Sequence, residues 1–125
     1  MINYIDYKDD MLSYSLIERS LGMIEKMKGI SSELGARKAV IKERLARCYY
    51  LLAQRQLDDR TYTHLSARVP GEAAYYIYPL GLLFTEVTPD KLIKVDFQGN
   101  ILEGCEQTFN TTGFVIHSSV YQARE

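Results

Sequence analysis

The chain has 125 residues, the usual length of one domain and enough to bury a hydrophobic core. Hydrophobic residues make up 46% of the chain and charged residues 25%. There are 15 basic and 16 acidic residues, which give a net charge of −1. This composition excludes a disordered tail, a fibrous repeat and a disulfide scaffold. It also gives no indication of a nucleic-acid partner or a membrane surface, so we expect a soluble globular protein.

Cysteine usage and the first residues indicate a reducing compartment. The two cysteines, Cys48 and Cys105, form no Cys-x-x-Cys pair, and no basic and apolar leader precedes them. No apolar run approaches the roughly 18 residues that a spanning helix needs. We therefore expect reduced thiols and a cytoplasmic protein.

Apolar residues at helical spacing predict two helices in the first half of the chain. The first is predicted over 11–28 and ends near Gly29, with a linker at 29–32. Its methionine-rich stripe could bind a partner, but packing on its own domain is the simpler interpretation. The second helix is predicted over 36–54, with Cys48 on its apolar face, where a thiol is usually inert. The two stripes are Leu12, Leu16, Met23, Met27 and Ile41, Leu45, Cys48, Leu52.

The second half changes to the alternating pattern of strands. Thr88 and Pro89 are typical of a helix start and predict a short helix between two of the strands. The glycine fingerprints of nucleotide-binding folds are absent. A layered α/β domain with antiparallel pairing follows. Strands are predicted at 64–69, 74–78, 92–97 and 101–102, with a turn at 98–100 and a last helix at 113–124.

Three short segments could present backbone N–H groups to an anion. They are Thr63-His64 at a strand start, Leu80-Gly81 in a turn, and Thr111-Thr112 before the last helix. Amides at a helix start favour negative charge, although plain capping by Thr or Asn explains the Asn110-Thr111-Thr112 segment more simply.

The two histidines are not at metal-ligand spacing, and neither has a carboxylate partner in sequence. His117 shares a helical face with Phe114 and Tyr121, so we interpret it as a hydrogen-bonded core residue rather than a ligand. From the residues alone, no Ser/His/Asp or Cys/His catalytic set can be argued.

In series, the motifs of residues 37–125 resemble the class II aldolase/adducin family in both order and spacing. Each motif is weak alone, and the first 35 residues lie outside the match. The segments that carry the resemblance are Arg44-Leu45-Ala46-Arg47-Cys48-Tyr49, Thr63-His64-Leu65-Ser66-Ala67-Arg68, Tyr76-Ile77-Tyr78-Pro79-Leu80-Gly81, Glu86-Val87-Thr88-Pro89-Asp90-Lys91-Leu92, Val95-Asp96-Phe97-Gln98-Gly99-Asn100, Gly113-Phe114-Val115-Ile116-His117 and Tyr121-Gln122-Ala123-Arg124.

The resemblance implies a three-layer α/β/α sandwich with a largely antiparallel central sheet, of which this chain would be a C-terminally truncated portion. Residues 1–35 would be a helical extension and linker, and residues 36–125 the N-terminal portion of the domain. In the aldolases, the family implies zinc-dependent cleavage of phosphorylated sugars. The implied phosphate cradle falls on Thr63, His64, Leu80, Gly81, Thr111 and Thr112.

Two departures from the aldolase pattern are expected to limit the chemistry. Gly113 stands at the position of the acid/base Glu, as in the adducin-type branch, and glycine has no proton to exchange. The zinc histidines would lie beyond Glu125, so no metal or other cofactor is expected in this chain. Leu80 also replaces a phosphate-binding hydroxyl of the aldolases.

Three functions follow in order of preference. The first is a non-catalytic adducin-like domain. The second is a zinc-dependent aldolase, lyase or epimerase of phosphorylated sugars, which requires a longer gene and another base. The third is a binder of phosphorylated small molecules. The family also implies homo-oligomers, and a chain without the later strands would expose a sheet edge and self-associate. No residue pattern indicates the actin association known for adducins.

Overall fold

A computed structural model of the chain describes residues 7–59, 62–104 and 107–124. They form two helices, four strands and two one-turn 3-10 helices, at Phe84–Glu86 and Pro89–Lys91. The chain divides into two compact units between Ala36 and Arg37. No helix of the described residues is long and apolar enough to cross a membrane. The elements are α1 (Tyr7–Gln54), β1 (Ser66–Arg68), β2 (Ala74–Ile77), β3 (Ile93–Asp96), β4 (Ile101–Glu103) and α2 (Thr111–Ala123).

The linker predicted at 29–32 does not exist, because α1 continues through it. A glycine inside a helix costs only about 1 kcal/mol relative to alanine, the residues before it (25–28) are good helix formers, and no proline interrupts this stretch. Gly29 therefore does not end the helix. Among residues 16–36, the following large apolar side chains are exposed: Leu16, Ile17, Leu21, Met23, Ile24, Met27, Ile30 and Leu34.

In the second unit, the inward face of α1 differs from the predicted stripe by one residue. Leu45, Ala46 and Tyr49 are buried, whereas Cys48 is exposed. The bulky Tyr49 ring takes the central position that the sequence pattern assigns to Cys48. The prediction of Cys48 on the packed face is therefore wrong, and Cys105 lies outside the described residues. The predicted end of the helix at Gln54 is confirmed.

The four strands form one antiparallel sheet in the order β1-β2-β3-β4. The predicted turn at 98–100 joins β3 to β4, and Gly99 within it has a φ of +93°, which glycine adopts without strain. The predicted short helix is confirmed as the 3-10 turn Pro89–Lys91. The Thr88 side chain does not cap this turn, because its hydroxyl bonds to the Asp90 carboxylate.

Neighbouring residues of β2 point to opposite faces of the sheet, and a helix packs on each face. The Tyr76 ring lies under Lys42 of α1, with Nζ 4.7 Å from the ring centroid. The Tyr75 ring lies 5.4 Å from that of Tyr121 on α2. The second unit is therefore a helix–sheet–helix arrangement, which confirms the expected three-layer fold with an antiparallel sheet.

Tyr49 joins α1 to the loops that flank the sheet. Its fully buried ring lies 4.7 Å from that of Phe84 and 5.0 Å from that of Tyr78. Its hydroxyl donates to the carbonyl of Leu65 and accepts from the backbone N–H of Leu65 at 3.1 Å and of Tyr78 at 3.4 Å. Burial raises the pKa of this phenol, so it stays protonated. One side chain thus forms hydrogen bonds with the backbone directly before β1 and directly after β2.

A charged network ties the same helix to the sheet. Lys94 on β3 forms ion pairs with Glu72 at 3.1 Å and Glu103 at 2.9 Å. From α1, Lys38 forms an ion pair with Glu72, and Lys42 forms one with Glu103. Hydrogen bonding from Lys38 is the main cause of the lowered pKa of Glu72. Partial burial opposes charge on Glu103, but bonds from Lys42 and Lys94 outweigh it and lower its pKa. The stability contributed by both carboxylates is lost as pH falls through these lowered pKa values.

The Tyr49→Phe variant should be less stable by about 1–3 kcal/mol, because backbone groups of the half-buried Leu65 and the buried Tyr78 lose their hydrogen bonds to the Tyr49 hydroxyl. The measurement is urea unfolding followed by circular dichroism. Tyr50→Phe is the matched control, since Tyr50 is the next residue of α1 and is exposed. Equal unfolding midpoints for the two variants would contradict the anchoring role of Tyr49.

Candidate functional site

The candidate site lies where the segment before β1 meets the first turn of α2. Asn110 caps this helix: its Oδ1 accepts from the N–H of Gly113 at 3.0 Å, and its carbonyl accepts from Phe114 at 2.9 Å. The helix therefore starts at Thr111, two residues before the predicted start, and Asn110 is its capping side chain, which agrees with the capping interpretation.

Two of the predicted cradle residues already have backbone or side-chain partners. The Thr63 hydroxyl accepts from the N–H of Asp59 at 3.1 Å, and the Thr63 carbonyl accepts from the Tyr78 hydroxyl at 3.2 Å. The N–H of Leu80 donates to the carbonyl of Thr108 at 2.8 Å. The Leu80 amide is therefore used within the fold, and its bond holds the 80–81 turn against the segment leading into α2.

Three backbone amides around this segment have no acceptor among the described residues. They belong to Gly81, Thr111 and Thr112, all of which are exposed. Gly81 has a φ of +98°, a conformation that L side chains rarely adopt. Exposed N–H groups at a helix start can bind an anion, since the helix dipole adds favourable field there. Whether the six predicted residues form one site stays a prediction.

The most constrained point of the site is the contact between Gly113 and His64. Gly113 is buried, and a Cβ placed on it would lie 2.9 Å from both Cδ2 and Nε2 of the His64 ring. Real Cβ atoms essentially never approach a neighbour so closely. The ring of His64 thus occupies the space into which any side chain at position 113 would project.

Four side chains from three separate places form a continuous chain of hydrogen bonds. His64 Nδ1 lies 2.7 Å from His117 Nε2, and His117 Nδ1 lies 2.8 Å from Ser66 Oγ. Ser66 Oγ lies 2.8 Å from the Tyr121 hydroxyl. His117 is thus hydrogen-bonded through both ring nitrogens. This confirms the prediction that it is hydrogen-bonded, although its ring is half-buried rather than in the core.

Sequence reasoning missed this cluster, although two spacings could have indicated it. His64 and Ser66 are two residues apart, which places them on one face of an extended segment. His117 and Tyr121 are four apart, which places them on one face of a helix. Only the packing of α2 on the sheet shows that the two faces meet.

Burial changes the pKa of His117. Loss of solvent is the main cause that lowers its pKa, and the nearby His64 ring lowers it further. The Tyr75 ring lies 6.0 Å from the His117 ring, and burial raises the pKa of the Tyr75 phenol. No histidine forms an ion pair with a carboxylate among the described residues. His117 therefore favours its neutral form.

The described residues do not fit a zinc ion. Zinc sites in proteins use three or four His, Cys or carboxylate ligands at about 2.0–2.3 Å. Residues 7–59, 62–104 and 107–124 contain no group of three or more such side chains that could hold a metal. The facing nitrogens of His64 and His117 are hydrogen-bonded to each other, so they do not open toward a common ion.

Comparison with known proteins identifies a shared family model. Residues 43–125 match the model described as "Class II Aldolase and Adducin N-terminal domain". A Caulobacter vibrioides relative named "Putative aldolase class 2 protein" is 45% identical over 82 residues. The match covers 65% of this chain and 32% of the relative. Alpha-adducin of Mus musculus is 38% identical over 90 residues, covering 66% of this chain and 12% of that protein.

A solved structure shares the fold. L-fuculose 1-phosphate aldolase from Glaciozyma antarctica superposes with a TM-score of 0.67 at 32% identity, covering 73% of this chain and 38% of the aldolase. The chain thus spans about a third of the length of the bacterial relative and of this aldolase.

The Gly113→Ala variant should be less stable by about 1–3 kcal/mol, because the added methyl group overpacks the His64 ring. Urea unfolding measures the loss. Gly29→Ala is the control, since no atom lies within 4 Å of a Cβ there. Adding His64→Ala to Gly113→Ala should recover part of the loss. If the two changes are additive, the contact does not limit position 113.

Proposed function

Because the chain belongs to the class II aldolase and adducin family, we propose that it binds a phosphorylated small molecule beside the first turn of α2. We further propose that it lacks the carboxylate-assisted cleavage chemistry of the aldolases. We extend both proposals to any longer protein that contains this sequence.

The observation that carries the non-catalytic half of the proposal is the burial of Gly113 against His64. A carboxylate at position 113 would start from a Cβ that lies 2.9 Å from the imidazole. The fold therefore accommodates histidine at 64 together with glycine at 113. The usual acid/base carboxylate has no room unless His64 moves.

The binding half is supported by the amides and hydroxyls around the helix start. The exposed residues Gly81, Thr111 and Thr112 offer backbone N–H groups without acceptors among the described residues, and the two threonines add hydroxyls. A phosphate accepts several hydrogen bonds at once, so such a group of donors suits it better than a neutral ligand. The Glaciozyma antarctica aldolase is named for a sugar phosphate, which agrees with this ligand class.

A metal-dependent aldolase, lyase or epimerase is the second candidate. It is favoured by the position of His64, whose Nε2 lies 2.9 Å from where a Cβ of residue 113 would stand. Imidazole is a common acid–base group and could replace the missing carboxylate. Any zinc ligands would have to come from outside the described residues.

Inorganic phosphate at millimolar concentration should raise the melting temperature of the chain in proportion to the logarithm of its concentration. Thr112→Val should reduce the rise, since it removes a hydroxyl at the helix start. Thr85→Val is a matched control on an exposed threonine in another segment. An unchanged melting temperature over this concentration range would contradict the proposed binding.

Incubation of the chain with sugar phosphates and zinc distinguishes the two candidates. We expect no aldehyde release and no stoichiometric zinc by elemental analysis of the purified chain. Measurable cleavage that depends on added zinc would favour the second candidate.

A further inference from the structure

One ring nitrogen of the histidine pair is open to a ligand. Both nitrogens of His117 and Nδ1 of His64 have hydrogen-bond partners, whereas Nε2 of His64 has none among the described residues. No buried side-chain nitrogen or oxygen in the described ranges lacks a partner. This Nε2, which we call open because it has no partner, is therefore not fully buried, and its edge of the ring lies beside Gly113.

The hydrogen bonds make the protonation of the two rings interdependent. When both rings are neutral, a single hydrogen lies between His64 Nδ1 and His117 Nε2. If His117 donates from Nδ1 to Ser66, its Nε2 must accept from His64, and the open Nε2 of His64 then carries a lone pair. If Ser66 donates to His117, the order reverses, and the open Nε2 carries a hydrogen.

We propose that His64 is an acid–base group that exchanges a proton with a hydroxyl or oxyanion of a bound ligand. His117, Ser66 and Tyr121 are its positioning residues, because they set which nitrogen of His64 carries hydrogen. The inference depends on the proposed function for the class of ligand, a phosphorylated small molecule. It goes beyond that function by giving the site a group that can move a proton.

The proton transfer balances within this set of atoms. A ligand O–H bond breaks, its electron pair stays on oxygen, and the hydrogen bonds to Nε2 of His64. The ligand then carries one more negative charge than before, and the histidine pair carries one positive charge. His117 accepts the Nδ1–H of His64 and donates its own Nδ1–H to Ser66 Oγ, whose hydroxyl bonds to Tyr121. The reverse steps return the proton to the ligand.

The surroundings of the pair contain hydroxyl and phenol groups rather than opposing charges. The titratable groups that face it are Tyr75 from β2 and Tyr121 from α2. Tyr78 bonds to the Thr63 carbonyl and Tyr49 to the Leu65 carbonyl, on the two sides of His64. Burial lowers the pKa of His117 and so disfavours a positive charge on that ring.

The test uses nitrogen-15 NMR of the ligand-free chain between pH 5 and 9. The chain contains only two histidines, so every imidazole signal belongs to His64 or His117. Replacing Ser66 by Ala should move the pH midpoint of the His64 ring by about half a unit or more, a roughly threefold change in proton affinity. Ser66 does not touch His64, so a purely structural serine would leave that midpoint unchanged.

Three further variants keep the result interpretable. Ser66→Thr retains the hydroxyl and should restore the midpoint, and Tyr121→Phe should shift it without changing Ser66. Ser119→Ala removes an exposed serine of α2 and is the control. If the His64 midpoint is the same in wild type, Ser66→Ala and Tyr121→Phe, the positioning role is overturned.

Chemical modification tests the open nitrogen directly. Diethyl pyrocarbonate acylates an accessible, unprotonated ring nitrogen, so His64 should be modified before His117 by peptide mass spectrometry. Modification of His117 first would overturn the assignment. Phosphate should slow the modification of His64, and the pH dependence of the phosphate-induced rise in melting temperature should differ between His64→Gln and wild type.

The two proposals can fail separately. Suppose that the two rings are coupled and His64 is open, but phosphate leaves the melting temperature unchanged. This result would support the acid–base group and overturn the proposed function. Phosphate binding that is unchanged by His64→Gln at every pH would leave the proposed function standing and overturn the acid–base role.

Discussion

The close contact between Gly113 and the ring of His64 is the constraint on which the candidate site depends. Because residue 113 has no Cβ, the first turn of α2 can approach the segment before β1 until backbone meets imidazole. That approach places His117, one turn further along the helix, 2.7 Å from His64 and 2.8 Å from Ser66. One missing side chain thus permits the hydrogen-bonded cluster, while the same absence removes the acid/base carboxylate expected from the aldolase pattern.

The scaffold holds this contact through two kinds of interaction on opposite faces of the sheet. On the α1 face, the buried Tyr49 hydroxyl bonds to backbone groups beside β1 and β2, and three lysines surround two glutamates. On the α2 face, the rings of Tyr75 and Phe97 pack against the ring of Tyr121, which the helix supplies. Since side chains alternate along each strand, neighbouring residues can serve the two faces independently. A change on the α2 face can therefore leave the packing on the α1 face undisturbed.

Much of the fold could be predicted from local pattern. The strands, the glycine turn at 98–100 and the last helix depend on alternation, turn residues and helical spacing, and all lie within a few residues of the expected bounds. The errors concern competition between neighbouring elements. The helix predicted to end at Gly29 continues through it, because one glycine is a small cost within a long run of helix formers. The packed position predicted for Cys48 belongs instead to the larger Tyr49.

The sequence by itself determined the family, the antiparallel sheet and the presence of glycine at position 113, since order, spacing and residue type are properties of the chain. It also identified His64 and His117, but as two unrelated residues 53 positions apart. Only the tertiary structure decided that they share a hydrogen bond, that Ser66 and Tyr121 extend it, and that one nitrogen of His64 stays open. The physical reason is that hydrogen bonds act over about 3 Å, and only the packing of α2 on the sheet brings residues from distant parts of the chain within that range.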